Sequence, residues 1–127
     1  MNDGEVRDWL ASGGALLQVD DPQQVVAAGA DAGWRVIEIT LTRPTDKAAL
    51  LRAFQGAFGL PDWFGHNWDA LVDSLRDVQP AQGQPGVLVV WSGSALVGDD
   101  DRRTAVEILR ERAQQRGSGF KLALGED

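Results

Sequence analysis

The residues best suited to chemistry fall in one stretch, Leu60-Pro61-Asp62-Trp63-Phe64-Gly65-His66-Asn67-Trp68-Asp69-Ala70-Leu71-Val72-Asp73-Ser74-Leu75-Arg76-Asp77-Val78. Asp69, Asp73 and Asp77 stand four residues apart, which on a helix lines three carboxylates along one face. Such a row, next to the aromatics Trp63 and Phe64, suits a cationic partner surface. Spacing alone favours the plainer account, a solvated acidic face, at a cost of roughly 0.2–0.5 kcal/mol per like-charged pair. Asp69 falls in the first turn, where the helix dipole favours a negative charge; Asp73 has no such local reason to be there. As the acid and base of a hydrolase, Asp69 and Asp73 would need burial to separate their pKa values, and the flanking residues offer none.

The other candidates are weaker. His66 is the one histidine, and beside a helix start it reads as a solvated or capping residue. There is no cysteine, so no thiolate metal site and no cysteine nucleophile. Asp99-Asp100-Asp101 lacks the spacing and distant Glu of a calcium loop and reads as the start of a helix. Gly83-Gln84-Pro85-Gly86 follows no strand and has no Lys, so it is not a phosphate loop. No metal or cofactor is expected, and the chain is not expected to be an enzyme.

The elements that must position the acidic stretch alternate. A short helical piece around residues 6–10 is broken by Gly13-Gly14, and Ala15–Val19 reads as a strand. Asp21 and Pro22 open a helix over 23–32, ended by Gly33. Residues 34–41 form the clearest strand, rich in branched side chains. Thr45 is placed to cap a helix from Asp46 to Phe58, with Leu50, Leu51, Phe54 and Phe58 at helical spacing. Asn67 is a good cap for the acidic helix, expected over 67–77, whose buried face is Leu71, Ser74, Leu75 and Val78. The apolar run Val87–Trp91 suits a parallel strand covered on both faces. A helix from Asp99 to near Arg116, with Ala105, Ile108, Leu109 and Ala113 inward, leads to a last strand over 120–124. Trp34 and Trp91 fall in strands and read as core; Trp68 fits core or contact equally. Strands alternating with helices imply an α/β protein with a small parallel β-sheet and helices packed on it.

Composition narrows the partner. With 127 residues, 43% of them hydrophobic, one domain with a real core is expected. A net charge of −7 argues against nucleic acid and anionic membranes as direct partners and permits a basic protein, with electrostatic steering of the encounter. The absence of cysteine fits a reducing cytoplasm. The acidic start, Met1 to Glu5, is unlike a signal peptide, and no apolar run has the length of a membrane span.

The stretch from Leu60 to Leu75 resembles the signature of the barstar family, intracellular inhibitors of ribonucleases of the barnase type. That pattern is Leu-Pro, an acid, two aromatics, Gly, any residue, Asn, an apolar residue, Asp-Ala-Leu, and Asp one residue later. Leu60, Pro61, Asp62, Trp63, Phe64, Gly65, Asn67, Asp69, Ala70, Leu71 and Asp73 fit it. The resemblance implies that a barstar-like core spans 34–124, with 1–33 an added N-terminal strand and helix. It implies inhibition by filling a ribonuclease active site, with carboxylates standing where RNA phosphates bind. Asp73 matches the Asp that enters the active site, and Asp69 the one beside it. Trp63 matches a contacting aromatic, while Gly65 and Asn67 match residues that shape the loop and helix start. Phe64, His66 and Val72 stand where barstar has Tyr, Glu and Trp. Arg76 and Asp77 replace Thr and Gly, and Glu111 is the match for a contacting Glu on the next helix. The centre of the surface is kept and its rim is rewritten.

Two functions follow as expectations. One is an immunity-type, toxin–antitoxin-like inhibitor that blocks a basic, barnase-like ribonuclease and is a monomer when free. The other is a barstar-fold binding module whose partner is not a nuclease.

Overall fold

The computed structural model describes residues 1–61 and 67–125. Among these residues, nine regular elements follow in the order α1 (Asp3–Ala11), β1 (Leu16–Val19), α2 (Pro22–Asp31), β2 (Arg35–Thr40), α3 (Lys47–Phe58), α4 (Trp68–Leu75), β3 (Val87–Ser92), α5 (Asp99–Gln114) and β4 (Phe120–Gly125). A single 3-10 turn, Ser94–Leu96, lies between β3 and α5. Asn2 starts α1 a turn earlier than its apolar residues suggest, its Oδ1 accepting from the Glu5 N–H.

All strand pairs are parallel, in the order β1-β4-β3-β2. The steps β2 to β3 to β4 move one way across the sheet, and the step β1 to β2 moves the other way. Right-handed crossovers therefore put α3, α4 and α5 on one face and α2 on the opposite face. The two cores follow that division. The larger joins Ile37, Val87, Val89, Trp91, Leu122 and Leu124 to Leu50, Phe54, Leu71, Leu75 and Leu109. The smaller joins Leu88, Val90 and Ala123 to Val6, Leu10, Val25 and Ala28. Alternate residues of β3 thus serve different cores, which is why its sequence is apolar throughout. Trp91 is buried at the centre of the larger core, its ring edge-on to Phe54 with centroids 5.5 Å apart. Trp34 is only half-buried and packs on the smaller core.

Residues 1–33 are therefore a layer of this fold: β1 extends the sheet beside β4, and α1 and α2 cover its second face. The addition is two helices and a strand. Gly29 lets α2 lie close on β3, since a Cβ there would meet Leu88 Cδ2 at 2.5 Å. Lys121 crosses from β4 to this layer. Its Nζ donates to the carbonyls of Ser12 and Gly14 at 2.8 and 2.6 Å and lies 4.9 Å from the Trp9 ring centroid.

Two capping expectations change. Thr45 does not cap α3: its hydroxyl donates to Arg43 O and its backbone bridges to Val97. Asp46 is the cap, accepting from the Ala49 N–H at 2.8 Å. Asp21 occupies the cap position of α2 without a side-chain bond, and Pro22 carries the start.

Candidate functional site

Helix α4 is short and amphipathic. Leu71 and Leu75 are buried in the larger core, while Asn67, Asp69, Val72 and Asp73 are exposed. Asn67 begins the helix: its Oδ1 accepts from the Ala70 N–H at 2.8 Å, satisfying one of the orphan donors of the first turn. Trp68 is partly buried against the larger core, with Lys47 Nζ 5.6 Å from its ring centroid. Upstream, α3 ends at Gly59, whose left-handed backbone (φ 67°) suits glycine, and Gln55 Nε2 donates to Pro61 O at 3.0 Å.

The carboxylate row is one turn shorter than its spacing suggests. The helix closes at Leu75, so Asp69 and Asp73 share it while Asp77 lies in the turn beyond. There Arg76, Asp77 and Val78 each donate a backbone N–H three residues back, to Asp73, Ser74 and Leu75. Arg76 and Asp77 are exposed beside this turn. Val72 is 36% exposed, the one large apolar side chain besides Met1 so exposed among the described residues. An exposed valine between two carboxylates gives the surface an apolar point within its charge. The one ion pair among the described residues is Arg103–Asp100 on α5. Asp69, Asp73, Asp77 and Glu111 are thus left to solvent or to a partner.

Arg112 is the residue that sequence reading missed. It is buried, yet reaches from α5 to the end of α4: Nε donates to Leu75 O at 2.9 Å and a terminal nitrogen to Val78 O at 3.2 Å. A cation at a helix C-terminus answers both the free carbonyls and the dipole. Its guanidinium carbon also lies 5.3 Å from the Phe120 ring centroid. Burial pushes its pKa below the ordinary arginine value. The spacing Ala105, Leu109, Arg112 was the available clue, because it continues the buried stripe of α5 at four and then three residues. Glu111 is the exposed neighbour of Arg112, and no hydrogen bond or ion pair joins it to α4.

Trp63, Phe64, Gly65 and His66 fall outside the described residues. Among the described residues no group of His, Asp and Glu has the arrangement of a metal site, and no helix is long and apolar enough to cross a membrane. What α4 offers chemically is recognition: two carboxylates one turn apart, held on a capped and packed helix, with an apolar side chain between them.

Comparison with known families settles the class. The family model described as Barstar (barnase inhibitor) matches residues 34–125. The chain belongs to the barstar family. The matched region runs from the residue before β2 to the end of β4, so it contains α4 and its support from α5. A search of curated proteins found no match to the chain.

Proposed function

We propose that this protein is a barstar-type inhibitor that occupies the active site of a basic ribonuclease with Asp69, Val72 and Asp73 of α4 and the loop preceding it. The observation that carries the reading is the exposed, unpaired state of Asp69 and Asp73 on a helix fixed at both ends, by Asn67 and by Arg112. A surface prepared in this way forfeits little ordering entropy when it binds. Its carboxylates suit the Arg and Lys groups that hold RNA phosphate, since charge-assisted pairs of that type are the strong ones. Trp63, Phe64, Gly65 and His66 join the contact, and Arg76, Asp77 and Glu111 form its rim, where the partner is selected. The protein acts by exclusion of substrate and needs no cofactor.

The reading is tested by titrating the protein into an assay of a barnase-type ribonuclease at low and at high salt. Inhibition that is complete near one equivalent and weakens with salt supports it. A ribonuclease that stays fully active, with no complex formed, contradicts the proposal for that class of enzyme and favours a barstar-fold module with a partner other than a nuclease.

A further inference from the structure

Although the chain is acidic, three of its arginines converge. At the C-terminal end of α4, a recess of about 220 Å³ is lined by Arg76, Gln79, Arg112, Gln115, Arg116 and Ser118, with no carboxylate in its wall. Arg112 is only 6% exposed. Of the five N–H donors of a guanidinium, three are used, on Leu75 O, Val78 O and Gln115 Oε1. One N–H on each terminal nitrogen is left without an acceptor among the described residues. All three acceptors are neutral, so a buried charge has no counter-ion, an arrangement that costs stability. Arg76 and Arg116 are exposed and form no ion pair among the described residues. Because Gln115 Oε1 accepts from Arg112, the Gln115 amide N–H groups remain available as further donors.

We propose that this recess binds one small tetrahedral oxyanion, inorganic phosphate or sulfate, through the guanidinium groups of Arg76, Arg112 and Arg116 with the Gln115 amide as a fourth donor. Guanidinium forks match the oxygens of such an ion in pairs. The recess has room for the ion and some water. The ion neutralises Arg112 and relieves repulsion among the three cations. It also braces the end of α4, because Arg112 already holds the Leu75 and Val78 carbonyls there. This inference does not depend on the ribonuclease reading and fails or stands separately from it.

The test is isothermal titration of the full chain with sodium phosphate at constant ionic strength, balanced with sodium chloride, alongside thermal unfolding over the same range. Saturable binding of one phosphate per chain is expected, with a saturable rise in unfolding temperature that chloride does not reproduce. The double variant Arg76→Gln/Arg116→Gln changes exposed side chains, so it retains the fold, and it is expected to bind phosphate at least tenfold more weakly. Absence of saturable binding, or undiminished binding by the double variant, overturns the proposal. Direct observation of Arg112 by the NMR signal of its Nε–H is a second readout: a shift that saturates with phosphate supports the site, and an unmoved signal contradicts it.

Discussion

Asn67 is the residue on which α4 depends locally. Its side chain accepts the Ala70 N–H, and the helix is only eight residues long, too short to persist without its cap and its packing. Asn67→Ala is expected to cost about 1 kcal/mol of stability, while Asn67→Asp, which keeps the acceptor and adds a charge favoured by the dipole, stays near wild type. Urea unfolding of the two variants checks this; equal losses would contradict the capping role. This residue was legible in the sequence, because Asn before an apolar stripe has a mechanism. Asp69 and Asp73 were legible as a pair, although only the resemblance gave them a role. Arg112 and Lys121 were not legible. Each is a cation in a polar or strand context where an exposed side chain is the ordinary expectation. Each is buried because backbone carbonyls from a distant part of the chain need a donor. Such pairings join residues far apart in sequence; the stripe Ala105, Leu109, Arg112 hints that Arg112 faces inward, but no local pattern gives the partners of either cation.

Among the elements, the sequence over-extended α4 for an instructive reason. Spacing continues past Leu75 through Asp77, and no glycine or proline interrupts it. What ends the helix is tertiary: Arg112 takes the Leu75 and Val78 carbonyls, and the chain tightens into a turn with i to i−3 bonds. Arg112→Met keeps most of the volume and removes the donors. It is expected to destabilise the protein by about 1–3 kcal/mol, as for buried carbonyls left without their donor, with relief of an unpaired buried charge offsetting part of the loss, and to loosen α4. Arg112→Lys restores a charge but not the fork and is expected to recover only part of the loss. Denaturant unfolding and amide hydrogen exchange at Leu75 to Val78 measure both. A loss under about 0.5 kcal/mol in the methionine variant, a value typical of surface changes, would show that α4 is held by its apolar face alone. The remaining helices and strands were readable within a residue or two, because their periodicity and breakers agree; the exceptions are the extra turn of α1 and the shift of the α3 cap to Asp46.

For the whole molecule, the reversal of direction between β1–β2 and β2–β3–β4 makes the N-terminal third a layer of the fold. Deletion of residues 1–33 would expose Leu88, Val90 and Ala123 and remove β1, one of the two strands paired with β4. The truncated chain is expected to aggregate or fail to unfold cooperatively; a soluble, cooperatively folded 34–127 fragment would contradict this. Lys121 ties the layers, and burial lowers its pKa from the ordinary 10.5. Between the lowered value and 10.5 the unfolded chain binds more protons at this group than the folded one does, so its contribution to stability rises with pH across that window. Lys121→Met is expected to remove this rise, as read from unfolding free energies at a series of alkaline pH values. At this scale too lies the question that decides function, because a molecule of net charge −7 attracts any basic protein. The most direct measurement compares the affinity of Asp73→Ala and Asp99→Ala for one barnase-type ribonuclease at two salt concentrations. Both positions are exposed carboxylates, both substitutions change net charge equally, and only Asp73 lies on α4. The account predicts a loss of about 30-fold or more for Asp73→Ala, the lower end of the roughly 2–5 kcal/mol for truncating one side of a buried charge pair; barnase–barstar is among the systems behind that range, so the figure is carried over from the family. Asp99→Ala is predicted to stay within about threefold of wild type, as expected for a charge outside the interface. Equal losses at the two positions would mean that net charge alone drives binding, and would contradict the assignment of α4 as the inhibitory surface.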